Sequence, residues 1–312
     1  MTWLVTGASG YIGQHLVLRL IEDGYDVLGL DIAPLPAPSP LRNKFEMHRG
    51  DIRDPIFLGN LFKERKFQGI VNLAALKSVE ESVKHPERYL QTNLNGVENL
   101  IKAGTDNGVE YFIQSSTAAV YGAPESGVVY ESDVTKPISP YGTSKLLAEN
   151  ALFKASEKDL ITALSLRYFN VVGSAHSALR DQSSANLVPK VVQAIKLGQP
   201  PRIYGDNYQT KDGTCIRDYV HVLDIAEAHI KAIQALLCKK LPPVLNIGTG
   251  LGYSVREVIA EVKNQCGSNT EPVIEGRRMG DPASLVANVE LSKSETGFRA
   301  KYGLREMIES TL

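Results

Sequence analysis

Tyr141 and Lys145 stand four positions apart in the run Pro140-Tyr141-Gly142-Thr143-Ser144-Lys145. On an α-helix, residues at i and i+4 share a face, so a phenol and an ammonium in this spacing point at one ligand. Pro140 suits the first helical position, where the missing N–H costs nothing. A phenol ordinarily titrates near 10 and a neighbouring ammonium favours its anion; a depression of roughly three units corresponds to about 4 kcal/mol. Tyr141 is therefore expected to serve as general base and acid near neutral pH, tuned by Lys145. Upstream, the apolar run Tyr111-Phe112-Ile113 continues through Gln114 into Ser115-Ser116-Thr117. Ligands of parallel sheets gather beyond the C-terminal ends of strands. Thr117 is thus a candidate to bond a substrate hydroxyl and relay its proton to Tyr141, whereas Ser115 is expected to satisfy backbone nearby.

The second chemical signal is the turn Gly7-Ala8-Ser9-Gly10-Tyr11-Ile12-Gly13, which follows the apolar Trp3-Leu4-Val5. It precedes a segment whose Ile12, Leu16, Leu20 and Ile21 fall on one helical face. A strand, a glycine turn and a helix N-terminus offer close backbone approach, unpaired N–H groups and a positive dipole end to a pyrophosphate. Asp31 ends the next strand 18 residues after Gly13, where a carboxylate accepts hydrogen bonds from a ribose 2′-hydroxyl and repels a 2′-phosphate. The expected cofactor is NAD rather than NADP, with Lys145 also holding its nicotinamide ribose.

These residues require a scaffold. Candidate strands at 2–6, 26–31, 47–51, 70–74, 111–115 and 161–167 alternate with helical segments, the pattern of an α/β fold with a doubly wound parallel Rossmann sheet. Residues 33–40 hold four prolines and read as an exposed loop. After residue 168 the alternation weakens, which implies a smaller C-terminal α/β substrate domain over 169–312. The chain is expected to return to the 1–168 sheet at about 219–247, through a helix near 222–237 and the strand Val244–Ile247. Ser254-Val255-Arg256-Glu257 is a capping box opening a further helix. At 312 residues the chain is long enough for such a core, and a formal net charge of −1 offers no field for nucleic acid or an anionic membrane. No apolar run reaches the ~20 residues of a membrane span, and strand character begins at once, so a soluble cytoplasmic protein is expected. The six histidines, His15, His48, His85, His176, His221 and His229, show no ligand spacing, and no metal is expected; His221, close to Asp218, is the mild exception. Cys215, Cys238 and Cys266 form no C-x-x-C pair and are expected to be buried or inert.

Together these residues resemble the extended short-chain dehydrogenase/reductase family, and more closely its UDP-galactose 4-epimerases. In the first half the likeness rests on G-x-x-G-x-x-G, Asp31, Asp51-Ile52, Asn72-Leu73-Ala74-Ala75-Leu76-Lys77, Asn93, Ser115 to Gly122, and Tyr141 with Lys145. In the second half it rests on Leu166-Arg167-Tyr168-Phe169-Asn170, Asn186-Leu187-Val188-Pro189 and the long run from Tyr204 to Val222. The resemblance implies adenine contact by Asp51 and Ile52, and cofactor contacts along Leu73, Ala74 and Ala75. It implies phosphate, ribose or substrate contact by Lys77, and nicotinamide-side contacts by Asn93, Ser115 and Tyr168. It further implies that Asn170, Asn186, Leu187, Arg217, Tyr219, Arg278 and Asp281 line the UDP-sugar, with Tyr204 near the uracil. Arg277 is balanced between this role and a surface ion pair. The implied reaction interconverts UDP-glucose and UDP-galactose through a 4-keto sugar, in a homodimer joined by helices near 90–105 and 142–156.

Three departures bear on substrate. Thr117 stands where serine is common; the segment from Gly173 to Asn186 is a few residues short; and Leu285 aligns with the position that limits room beside the sugar C2 substituent, so an N-acetyl group is expected to fit. Alternatives are a UDP-glucuronate or UDP-N-acetylglucosamine 4-epimerase. Remoter ones are a nucleotide-sugar dehydratase, which needs Asp-Glu where this chain has Ala118-Ala119, and a non-catalytic NAD(H) sensor, which would not need Tyr141, Lys145 and Thr117 together.

Overall fold

The computed structural model describes residues 2–183, 185–278 and 280–312. The first half alternates regularly: β1 (Thr2–Thr6), α1 (Tyr11–Glu22), β2 (Asp26–Asp31), β3 (Glu46–Arg49), α2 (Pro55–Glu64) and β4 (Phe67–Asn72). Two short helices, α3 (Val79–Lys84) and α4 (Pro86–Leu90), lead through a π-helical turn at Gln91–Asn95 into α5 (Gly96–Asp106). Then come β5 (Tyr111–Thr117), β6 (Val128–Val129), α6 (Pro140–Glu157) and β7 (Thr162–Tyr168). Beyond lie β8 (Asn170–Val172), α7 (Leu187–Lys196), β9 (Arg202–Tyr204), β10 (Ile216–His221), α8 (Val222–Leu236) and β11 (Val244–Ile247). The chain closes with β12 (Gly252–Ser254), α9 (Val255–Cys266), β13 (Val273–Glu275), β14 (Ser284–Ala287), α10 (Glu290–Thr296) and α11 (Leu304–Glu309).

Seven strands make one parallel sheet in the order β11-β7-β5-β4-β1-β2-β3. Its central strands are near-continuous apolar runs because helices cover both faces. α1 and α8 pack with Trp3, Val5, Leu164 and Leu166 on one face; α2, α5 and α6 pack with Leu4, Leu28, Ile70 and Phe112 on the other. Gly69 makes room for the fully buried Trp3, since a Cβ there would lie 2.4 Å from the indole. The order of strands reverses direction at β1, and the crevice above it is where such sheets hold ligands.

The second sheet runs β12-β10-β14-β6, with β8 alongside β10. Residues 219–221 thus pair with 170–172 in this sheet, while α8 and β11 alone rejoin the large one. β6, from the first half, pairs with β14. The Ser254–Glu257 capping box forms as the sequence suggests. Of the thiols expected to be buried or inert, Cys215 is buried, Cys266 is half-buried and Cys238 is exposed just after α8.

Burial pushes His221 and His229 down to about 4. Below the ordinary imidazole value the unfolded chain takes up protons that the folded chain refuses, so stability falls as pH drops from about 6.5 toward 4, by about 1.4 kcal/mol per pH unit per histidine. Asp218 and Asp224, raised by burial, act in the opposite sense within the carboxylate range. Urea unfolding at pH 7 and pH 5 should give a lower midpoint at pH 5, and His229→Gln should shrink that difference.

Candidate active site

The glycine turn leads from β1 into α1. Gly7 has φ +70°, and a Cβ there would come within 2.7 Å of the Leu73 and Ala74 backbone; one on Gly13 would lie 2.1 Å from the Gly7 carbonyl. These two glycines let strand, helix and the loop after β4 close on one another. Gly10 caps α1 without a side-chain hydrogen bond, and no acidic residue occupies the first turn. The opening amides of a 12-residue helix are left for a ligand, and they fit the pyrophosphate of NAD. Asp31 stands beside the turn, accepting from the Ser9 amide at 3.0 Å and the Ala33 amide at 3.1 Å with lone pairs to spare.

A polar row crosses the sheet below the crevice. Thr6 donates to Asn72, Asn72 donates to Gln114 at 2.8 Å, and Gln114 donates to the Ser115 carbonyl at 2.8 Å. The same carbonyl accepts from Lys145 Nζ at 2.9 Å, and Ser115 Oγ lies 3.3 Å from it. α6 begins where predicted, with Ser139 capping the Gly142 amide and Pro140 in the first turn. Tyr141 and Lys145 therefore descend side by side toward the end of β5, where the Tyr141 phenol comes up beside the Thr117 hydroxyl. Thr117 also caps the turn after β5 by accepting from the Ala119 amide.

The electrostatics depart from the expectation. Burial raises Tyr141 above the ordinary phenol value, offset in part by the Thr117 hydrogen bond. Lys145 does not depress it here; the ammonium is turned onto Ser115 and is itself pushed down to about 8 by burial, against the opposing pull of Glu149. Ser115, expected from its position to satisfy nearby backbone and from the resemblance to touch the cofactor, is the acceptor that holds Lys145.

Several residues assigned to ligand contact are occupied otherwise. Asn93, on the π-helical turn, accepts from the Leu76 amide and donates to the Leu76 carbonyl and Ser144 Oγ, at 2.8–3.0 Å. Both its donors and its acceptor are spent, so it shapes the Leu73–Lys77 loop rather than offering a free amide. The Tyr168 hydroxyl is bonded to His229 at 2.7 Å inside the core. Tyr219 is 2 % exposed and packs between β10 and α9, which makes it a core residue. The Asp51 carboxylate is gripped by Arg53 on both oxygens, which holds it below the ordinary carboxylate range. Ile52 packs its side chain against Gly96. Lys77 extends into solvent from the loop that Asn93 pins.

The nucleotide-side residues assemble around β10 and β14. Arg217 donates to the Ile216 and Pro282 carbonyls at 2.8 Å and faces Asp281 at 3.5 Å. It pairs in register with Leu285, which packs with Ala118 and Phe169, the neighbours of Thr117 and Tyr168. This packing joins the second sheet to the catalytic end of the first. Arg278 lies over the Tyr204 ring at 3.9 Å, and Arg277 lies over Tyr208 at 4.1 Å while bonding Asn207. Arg277 is thus committed to the loop after β9. Asn170 opens β8 with an exposed side chain; Asn186 precedes α7 and donates to Asp181, and Leu187 packs into the core beneath α7. The short 173–186 segment is tied to α1 through Tyr11, which donates to the Gly173 carbonyl at 2.5 Å, and His15, which accepts from Ala175; Ser184 lies outside the described residues. Sequence reasoning missed Asn72, Gln114, Ser116, Glu149 and Arg167. The available signal was a polar residue inside an otherwise apolar strand or helix face.

Residues 3–248 match the NAD dependent epimerase/dehydratase family. The chain belongs to that family. A UDP-glucose 4-epimerase of Halalkalibacterium halodurans is 40% identical over 315 residues, covering 99% of this chain and 94% of the relative. Among solved structures, UDP-glucose 4-epimerase from Stenotrophomonas maltophila, with bound NAD and formylated UDP-arabinopyranose, superposes with a TM-score of 0.94 at 36% identity, covering 100% of this chain and 96% of the other. The Bifidobacterium longum enzyme in complex with NAD+ and UDP gives 0.92 at 35% identity, covering 100% and 97%.

Asn93→Ala removes three hydrogen bonds of a buried side chain at once and leaves the half-buried Leu76 backbone without those partners, so it should cost about 2–4 kcal/mol in urea unfolding; a loss below about 0.5 kcal/mol would show that the loop does not depend on it.

Proposed function

We propose that this protein is an NAD-dependent 4-epimerase interconverting UDP-glucose and UDP-galactose. The observation that carries this reading is the half-buried Tyr141 phenol beside Thr117 at the end of β5, with Lys145 anchored on Ser115 beneath it. Thr117 accepts the sugar 4-hydroxyl and passes its proton to Tyr141, and the reverse transfer restores the hydroxyl on the epimer. NAD, which Asp31, the open amides of α1 and Lys145 would hold, would supply a reversible hydride acceptor for the sugar C4 and a positive charge that favours the Tyr141 phenolate. Lys145, with Ser115 filling only part of its donor capacity, holds the cofactor ribose. Asp31 and the open amides of α1 hold the adenosine ribose and pyrophosphate of NAD. Arg217, Arg278, Asn186 and Tyr204 grip UDP, the large sheet serving the cofactor and the second sheet the nucleotide sugar. Ala118 and Ala119 supply no acid or base for eliminating water, which disfavours a dehydratase.

A second reading is favoured by Leu285, whose branched side chain stands with Ala118 and Phe169 beside the catalytic residues. It leaves room for an N-acetyl group at the hexose C2. We further infer a cytoplasmic homodimer joined through α5 and α6, where Leu147 and Phe153 are exposed on α6. No helix among the described residues is long and apolar enough to cross a membrane.

Purified protein incubated separately with UDP-galactose, UDP-N-acetylgalactosamine and UDP-glucuronate should yield an equal-mass epimer from UDP-galactose. Conversion of the N-acetylated sugar supports the second reading and its failure removes it. Loss of water or carbon dioxide from any of them would overturn the epimerase assignment. Tyr141→Phe should lower kcat by about 100-fold or more while NAD and UDP affinities stay within a few-fold; an active variant would show that another group moves the proton.

A further inference from the structure

Glu149 follows Lys145 by one helical turn and Tyr141 by two, so the three side chains share a face of α6. Its carboxylate is buried and bound from two strands. Arg167 of β7 donates Nε to Oε1 at 3.0 Å and Nη2 to Oε2 at 2.7 Å, and Ser116 of β5 donates its hydroxyl to Oε1. Ser116 lies between Ser115, which holds Lys145, and Thr117, which meets Tyr141. Arg167 is the register partner of Ser116 and donates Nη1 to the Tyr121 hydroxyl at 2.9 Å; that hydroxyl donates to Asn246 of β11 at 2.7 Å. An ion pair so deep is weak evidence for stability, because desolvation consumes most of the Coulombic gain. Its position beside the proton-moving pair calls for a different account.

We propose that Glu149 is a positioning residue: clamped by Arg167 and Ser116, it locks α6 to the end of β5 and supplies the countercharge for the buried Lys145 ammonium. The kinetic consequences rest on the epimerase reading; the effect on Lys145 itself does not. Other groups face α6 from the elements around it. Tyr89 of α4 stands edge-on to Tyr141 with ring centroids 6.4 Å apart, its hydroxyl bonded to Glu81 of α3. Tyr121, from the turn after β5, is bonded to Arg167, and Tyr168 of β7 is bonded to His229 of α8. The buried residues of α5 include no titratable side chain. Among these groups, Glu149 is the one whose charge opposes the loss of the Lys145 proton. A neutral Lys145 would no longer bring a positive charge to the active-site end of β5, so the alkaline limb of activity reports this countercharge.

The test is Glu149→Gln in the full-length protein with NAD bound. Lys145 Nζ is followed by NMR of 15N-lysine-labelled protein, and kcat and KM are measured across neutral to alkaline pH. The expected result is a lower titration midpoint for Lys145, an alkaline limb of kcat moved down by about one pH unit, a KM within about two-fold of wild type, and partial return in Glu149→Asp. Because Glu149→Gln leaves Arg167 unpaired and the variant could unfold, the double variant Glu149→Met/Arg167→Met replaces both charges by apolar side chains. It should fold and shift Lys145 in the same direction by a smaller amount, because the Arg167 cation leaves together with the carboxylate. An unchanged Lys145 titration and pH profile in either folded variant would overturn the proposal and leave the pair a purely structural role. If the wild-type protein epimerises no UDP-hexose, the functional reading fails, while the lysine titration still decides the role of Glu149.

Discussion

A lysine ammonium buried to 3 % exposure has to find acceptors, and it finds them where β5 runs past its last partner in β4. Lys145 rests on the Ser115 carbonyl and hydroxyl near the C-terminal end of β5, and much of the site is arranged around that contact. The Ser115 carbonyl also closes the polar row from Thr6 through Asn72 and Gln114. One acceptor thereby connects the strand that feeds the glycine turn with the helix that carries the tyrosine. Buried polar groups left unpaired are costly, so such a row is specified as a whole or not at all. Its satisfaction fixes the relative height of β1, β4, β5 and α6 to hydrogen-bond precision.

The same economy governs the loops. The glycine turn approaches the Leu73–Ala74 backbone so closely that no side chain fits at Gly7, and Asn93 holds the other end of that loop through Leu76. The π-helical turn between α4 and α5 directs Asn93 inward. The second sheet is coupled to this frame by packing as well as by hydrogen bonds: Leu285 sits among Ala118, Phe169 and Tyr121, and Asn246 of β11 donates to the Val129 carbonyl of β6 at 3.1 Å, so the strand carrying Arg217 is indexed to the residues following Thr117 and Tyr168. The nucleotide grip and the proton-moving pair are thus separate constructions joined along an apolar seam with hydrogen bonds at its edge. That arrangement allows a firmly held nucleotide and a more loosely held sugar.

Local patterns in the chain determined the alternation of strands and helices, the starts of α1, α6 and α9, and the Gly7–Gly13, Thr117, Tyr141 and Lys145 constellation. Each depends on spacing within a few residues: a period, a cap, or an i, i+4 pair. Only the tertiary structure decided where buried polar side chains spend their hydrogen bonds. The family resemblance implied ligand contacts for Asn93, Tyr168 and Tyr219, yet the fold engages Asn93 and Tyr168 with Leu76, Ser144 and His229 and buries Tyr219 in the core. Likewise, the Tyr141/Lys145 spacing established that the two share a face but not that the ammonium would turn to Ser115 while burial raised the phenol. Desolvation and partner choice depend on which distant strands come together, Ser116 with Arg167 across β5 and β7 and Arg217 with Leu285 across β10 and β14. Those encounters span tens of residues or more and leave no periodic trace in the chain.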